Sequence, residues 1–269
     1  MKNKESISIK KISIIFIIMI LSIGFISASY AGLYDKKLVF SQYNVADDFN
    51  YLCLEGYYSF NENIGENVHD QSINEIDGSL KPNSAIGPGW TIGKISYALE
   101  FDGLGDFVEV PDDPCFDMAD EITIMMWIKS YQWDNAGQQY NIRNIIDKGE
   151  HNTGNAFGIY SYKESNDDFK LHFRINKDEN ADVSAALPAI DDWHHIAATY
   201  NSEFLRLYID GDKVAEKAYD EPIQINDQKI YVGGAVGRQY WFNGIIDEVK
   251  IYSCALTTED ILHIYDLEK

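Results

Sequence analysis

The chain of 269 residues carries 43 acidic against 22 basic side chains, for a net charge of −21. That balance sets it against nucleic acid and anionic membrane surfaces, because affinity for phosphate polyanions comes from Lys and Arg releasing counterions. At 45% hydrophobic and 13% aromatic residues, with only six prolines, it is no disordered stalk but an acidic globular protein with one main domain.

Lys2, Lys4, Lys10 and Lys11 precede an uncharged apolar run from Ile12 to Ile26. A basic start, a short apolar stretch and then small residues form a secretory signal. The run is shorter than the roughly 20 residues a membrane-spanning helix needs. Ser29-Tyr30-Ala31 places cleavage after Ala31, with Ser29 the next choice; an uncleaved anchor is the alternative. The expected organisation is a signal peptide over 1–31, an unassigned lead-in over 32–51 and one domain over 52–269. The protein is thus expected to be secreted or on the extracellular surface, with no membrane insertion after cleavage.

From Leu54 onward short apolar runs alternate with Gly, Asn and Asp. Gly56–Phe60 is the first strand. Tyr97–Phe101 and Asp106–Val110 follow, joined by Asp102-Gly103-Leu104-Gly105 as a glycine-rich hairpin. Glu121–Ile128 is apolar on both faces (Ile122, Ile124, Met126 and Ile128 on one, Met125 and Trp127 on the other), which makes it central in a packed sandwich. Further strands are predicted at Asn144–Asp147, Phe157–Tyr160, Lys170–Arg174, His194–Tyr200, Leu205–Ile209, Lys213–Ala218, Lys229–Val232 and Gly244–Tyr252. Asp210-Gly211 accepts the positive φ of a tight hairpin. One helix is predicted near the end, with Thr257 as cap and Asp260 returning the bond to the cap. The fold class is all-β: a two-sheet antiparallel sandwich, or jelly roll, with one short C-terminal helix.

Export permits disulfides, and three cysteines leave one over. If the first and last strands pair antiparallel, Cys53 and Cys254 approach each other. Cys115, in the polar turn Pro111–Cys115, is then the odd one out. Three unbridged thiols are the alternative.

Five segments, in order, resemble the LamG-like jelly-roll domain of the concanavalin A-like lectin/glucanase superfamily. They are Gly56–Phe60; Gly93-Lys94-Ile95 leading to Ala98–Gly103; Asp106–Pro111; Trp193–Ala197 with Leu207–Gly211; and Phe242–Val249 with Ile251-Tyr252, Ala255-Leu256 and the helix. The resemblance spans about Leu52 to Tyr265. It implies a binding module on a secreted or surface protein, for glycans or for other proteins, although fold alone does not fix function. It also implies a structural calcium ion, with Asp102, Gly103, Asp106 and Asp247 as expected ligands, since hard oxygen donors suit calcium. Asp102 and Asp106 serve equally well as turn caps, and Asp247 as a satisfied buried acid.

Laminarinase-type members of the superfamily hold two glutamates around an aspartate on one strand, as hydrolysis needs two carboxyl groups. The nearest match, Glu75-Ile76-Asp77-Gly78-Ser79, lacks the second acid, so a non-catalytic protein is expected, with a divergent glycosidase or lyase as the weaker reading. Adjacent His194 and His195 point to opposite faces of a strand and cannot converge on zinc. Sugar binding needs aromatic platforms beside amides and carboxylates. Trp133 and Tyr140 in one loop, Arg238 and Tyr240 in another, and Tyr160 with Tyr162 are the expected ligand-binding residues. Trp127, Trp193 and Trp241 are assigned to packing. The expected partner is a glycan, or alternatively a surface protein bound by an adhesion module.

Overall fold

The structure, a computed structural model, describes residues 53–81, 88–134, 142–149, 155–165, 168–176, 178–234 and 240–269. The expected signal segment and lead-in lie outside these. In chain order the strands are β1 (Leu54–Tyr58), β2 (Asn67–Val68), β3 (Gly78–Lys81), β4 (Gly89–Ile92), β5 (Tyr97–Asp102), β6 (Phe107–Val110), β7 (Ile122–Ser130) and β8 (Ile142–Lys148). They continue with β9 (Phe157–Ser165), β10 (Asp168–Ile175), β11 (Asp182–Ala186), β12 (His194–Tyr200), β13 (Phe204–Ile209), β14 (Asp212–Ala218), β15 (Ile230–Val232) and β16 (Asn243–Tyr252). One α-helix, α1 (Thr258–Glu268), follows.

Among the described residues the strands form two antiparallel sheets. Sheet A runs β14-β13-β12-β7-β16-β5-β4, with β1 also on β16; sheet B runs β11-β10-β9-β8-β15-β6-β3-β2. Their inner faces share one apolar core, in which Ile122, Ile124, Met126 and Ile128 of β7 join Ile159, Leu171 and Phe173 of sheet B. Period-two alternation puts each strand's apolar set inward.

The turn Asp102–Gly105 is not a hairpin. β5 pairs with β16 and β4 in sheet A, whereas β6 pairs with β15 and β3 in sheet B. The turn is therefore a corner crossing the sandwich. Leu99, Phe101, Val108 and Val110 all enter the shared core, and alternation marks a strand without naming its partner. By contrast, Asp210 and Gly211 (φ 53° and 83°) make the predicted hairpin between β13 and β14.

The second apolar face of β7 is covered by α1. Thr257 and Asp260 form the predicted reciprocal cap. Trp127 stacks on Tyr265 of the helix at 5.6 Å and donates its indole N–H to Glu268 Oε2 at 2.9 Å. The Lys250 ammonium group pairs with Glu248 at 3.0 Å and with Glu268, while Tyr57 donates its hydroxyl to Glu248. Replacing Glu268 by alanine removes an acceptor and a counter-charge together, so Glu268→Ala is expected to cost about 2–3 kcal/mol. Urea midpoints measure it, and Glu268→Gln, which keeps an acceptor, should lose less.

Strand β16 changes neighbours midway. Asn243–Ile246 lie beside β5 and Val249–Tyr252 beside β1, with a break at Asp247-Glu248 where Glu248 takes φ 55°. Gly244 is required here: a Cβ would lie 2.2 Å from the Lys129 carbonyl oxygen. Leu54 opposite Tyr252 brings the flanking cysteines together, and the Cys53–Cys254 disulfide forms as expected. Cys115 is a free, half-buried thiol.

Candidate binding site

The face of sheet B turned away from the core carries polar and aromatic side chains at the positions between its apolar ones. On β9, Phe157 and Ile159 point inward while Gly158, Tyr160 and Tyr162 point outward; on β10, Leu171, Phe173 and Ile175 point inward and Lys170, His172 and Arg174 outward. The register aligns His172 with Tyr160 and Ser184, and Arg174 with Gly158 and Asp182. On β8, an irregularity between Asn144 and Ile146 keeps Asn144 and Asp147 on this same face, opposite Tyr160 and Gly158.

Asp182 is the hub of one half. Its carboxylate lies 2.9 Å from His172 Nδ1 and accepts from the Tyr160 hydroxyl at 2.9 Å and from Arg174 Nε at 2.7 Å. An ionised carboxylate only accepts, so His172 Nδ1 is the donor in this contact. Burial raises the Asp182 carboxyl, but the His172 hydrogen bond and the charges of His172 and Arg174 outweigh it and hold it below the ordinary carboxylate range. The Tyr160 ring stacks on His172 at 5.2 Å with the Arg174 guanidinium 5.5 Å from its centre. Tyr162 meets His172 edge-on and is 37% exposed, an open ring beside a fixed polar network.

The other half is built around Asp147, which accepts from Asn155 Nδ2 at 2.6 Å. Asn144 Nδ2 donates to the Gly234 carbonyl at 3.0 Å. Burial pushes the Asp147 carboxyl well above its usual range despite the amide hydrogen bonds. Half-buried Phe107 and Trp241 stack at 5.7 Å, and Tyr231 meets Phe107 edge-on. Between the halves lies buried Gly158, next to Asp147.

Of the expected ligand-binding residues, Tyr160 and Tyr162 lie together on this face. Trp133 is instead packed into the core at 8% exposure, edge-on to Phe242, with its indole N–H donating to the Pro188 carbonyl. Tyr240 is 3% exposed. Both read as surface aromatics from loop composition, but a large ring beside the sandwich edge gains more by burial than by exposure. Tyr140 and Arg238 lie outside the described residues. His172, Arg174 and Asp182 were not anticipated. Their signal was Lys170-x-His172-x-Arg174 alternating with Leu171 and Phe173, a polar outer face that charge alone makes look merely solvated.

The expected calcium ligands do not converge. Asp102 Oδ1 accepts the Leu104 N–H, and the Arg143 guanidinium lies against Gly103. Asp106, pushed up to about 6 by burial and by Asp102 beside it, has one buried oxygen without a hydrogen-bond partner. Asp247 stands several residues away along the sheet, since Asn243 faces Asp102 and Ile246 faces Leu99. Its Oδ2 accepts the Ile95 N–H. Among the described residues no three His, Cys, Asp or Glu side chains group to hold a metal. His194 pairs with Asp210 while His195 points beneath α1, so the two histidines diverge as expected.

The Asp147 and Asp182 carboxylates do not stand at glycosidase spacing. Asp147 and Asp182 are separated by the β8–β9–β10–β11 steps, about 14 Å at roughly 4.8 Å per strand. Paired glycosidase carboxyl groups stand no more than about 9.5 Å apart. Asp77 is in contact with His69, and neither Glu75 nor Asp77 lies on a strand.

The two antiparallel sheets stack as a sandwich of the jelly-roll class. The family model for the concanavalin A-like lectin/glucanases superfamily (laminin G type) matches residues 102–262, and the chain belongs to this family. No curated protein matches the sequence. Among solved structures it is similar to domain 4 of AbnA, a GH43 extracellular arabinanase from Geobacillus stearothermophilus, in complex with arabinotriose. That match has 17% identity and a TM-score of 0.60, over 79% of this chain and 98% of that one. It is also similar to the binding domain of Paraclostridial Mosquitocidal Protein 1 (18% identity, TM-score 0.63), covering 81% of this chain and 52% of that one. The binding domain of botulinum neurotoxin DC in complex with rat synaptotagmin II gives 16% identity and a TM-score of 0.61, over 82% and 52%. The chain thus spans about half of the toxin binding domains. At these identities the likeness is one of fold.

Proposed function

We propose that this protein is a secreted, non-catalytic glycan-binding module whose ligand lies on the outer face of sheet B. The observation that carries the reading is the exposed Tyr162 ring beside the His172–Asp182–Arg174–Tyr160 network. An open aromatic face for sugar C–H groups adjoins fixed hydrogen-bonding groups. Stacking supplies affinity while the fixed polar groups select hydroxyl positions. A relative of the same fold was solved with arabinotriose bound, which supports a sugar. Export fits the Cys53–Cys254 disulfide, because such bonds persist in oxidising compartments. No helix among the described residues is long and apolar enough to cross a membrane.

The test is a glycan array with the mature protein and with Tyr162→Ala. The variant should melt like the parent, since its ring is exposed, and should bind about tenfold more weakly, the factor that corresponds to one lost stacking contact. Equal binding by both would remove this face from the reading. The array is run in calcium and again in chelator, and loss of signal in chelator would place a calcium ion in binding. A blank array with folded protein would favour a protein receptor, the kind of partner seen with the neurotoxin domain.

A further inference from the structure

Tyr162 on β9 is not alone among the rings of sheet B's outer face that reach solvent. Phe107 of β6 and Trp241, stacked on each other, are both only half-buried. Val108 and Val110 enter the core, so Phe107 and Glu109, alternating with them, turn to the same outer face as Tyr162. Trp241, assigned to packing from its sequence, does pack on Phe107 but keeps part of its indole open. Its seat is fixed: a Cβ at Gly234 would stand 2.4 Å from Trp241 Cε3, and Arg143 Nη1 donates to the Trp241 carbonyl at 2.8 Å.

Strand order and register set the spacing of the two platforms. Val108 faces Val232, Val232 faces Ile146, and Ile146 faces Ile159. Phe107 is therefore level with Tyr160, three strand steps from β9 and two residues short of Tyr162. At roughly 4.8 Å per strand and 3.3 Å per residue, the platforms stand about 16 Å apart. Asn144 and Asp147 between them are buried and already bonded, so they shape the floor. Polar groups that reach solvent flank the rings instead. Lys170 faces Tyr162 and pairs with Glu164, while Lys81 faces Phe107 and pairs with Glu109.

We propose that this face takes an extended oligosaccharide, stacked on Tyr162 at one end and on the Phe107–Trp241 pair at the other, an inference that rests on the glycan reading above. A single sugar ring is too short for this span, so a monosaccharide reaches one platform at a time. In a longer chain the second stacking contact forms within the same association and adds to the first. Ammonium and carboxylate groups at each end give and accept hydrogen bonds from hydroxyls there. The face therefore selects for chain length.

The experiment titrates the full mature chain with arabino-, gluco- and galacto-oligosaccharides of one to six units. In the series that binds, affinity is expected to rise by about tenfold or more from the disaccharide to the hexasaccharide, the gain of one further stacking contact. Occupancy of the second platform is read at Trp241 itself. The longer sugars should shield its indole from oxidation by N-bromosuccinimide, followed by peptide mass. Tyr162→Ala, an exposed change remote from Trp241, should raise the sugar concentration needed for that shielding about tenfold. Trp241→Ala should leave long sugars binding no better than short ones, and the shielding result stands by itself where that variant does not fold. Affinity independent of length, or shielding that Tyr162→Ala leaves unchanged, would overturn the inference while leaving a glycan-binding protein in place. Folded protein that binds none of these sugars and no glycan on the array would overturn the glycan reading and this inference with it.

Discussion

Breaking the Cys53–Cys254 bond is expected to destabilise the domain by about 5 kcal/mol, as the bond closes a loop of 201 residues and the lost chain entropy grows with the logarithm of that length. Few single bonds in the molecule reach so far along the sequence. The disulfide also sits where β1 joins β16, and β1 contributes Tyr57 to the Glu248–Lys250–Glu268 cluster under α1. Opening it should therefore loosen the helix before the sandwich core. Urea midpoints of the parent and of the Cys53→Ser, Cys254→Ser double variant measure the loss, and reductant should bring the parent to the same midpoint. A shift below about 1 kcal/mol would mean that the unfolded chain keeps these ends close without the bond.

How much of this was legible in the sequence follows from what each signal encodes. Alternation found most strands, and the double apolar face of β7 correctly placed it at the centre, because Met125 and Trp127 have no use unless something covers them. The cover proved to be α1, whose cap at Thr257 and Asp260 was readable residue by residue. Partners were less legible. Asp102–Gly105 carries hairpin chemistry, yet β5 and β6 join different sheets, since pairing is decided by strands far off in sequence. The candidate site was only half visible for the same reason. Tyr160 and Tyr162 could be seen as neighbours on one strand, while His172, Arg174 and Asp182 reach them through registers that no local pattern states. Trp133 went the other way: its loop looked exposed, and the carbonyl of Pro188, 55 residues on, holds it inside.

Acid should destabilise this protein through His195. The side chain is 1% exposed beneath α1, 5.4 Å from the Trp127 ring and 6.0 Å from that of Tyr265, and neither ring nitrogen has a hydrogen-bond partner. Burial, and then the positive charge of Lys250, pushes it down to about 3. The unfolded chain, with its ordinary value near 6.5, binds the proton more readily than the folded one. Stability is therefore full above about pH 6.5 and falls as pH drops towards 3, by on the order of 4 kcal/mol in total and about 2.5–3 kcal/mol at pH 4.5. His195→Phe removes the titrating group and the two unpartnered nitrogens while keeping a ring against Trp127. It should match or exceed the parent at pH 7 and lead it by an increasing margin as pH falls. Urea midpoints at pH 7 and pH 4.5 for both proteins isolate this contribution, because the carboxylates of Asp182 and the other ion pairs are common to both. Parallel losses in the two proteins would assign acid unfolding to those carboxylates instead. Glycan binding should be the same in both at pH 7, since His195 lies on the outer face of sheet A, across the core from Tyr162. A variant that changed both would mean that the helix side and the binding side are coupled through the core.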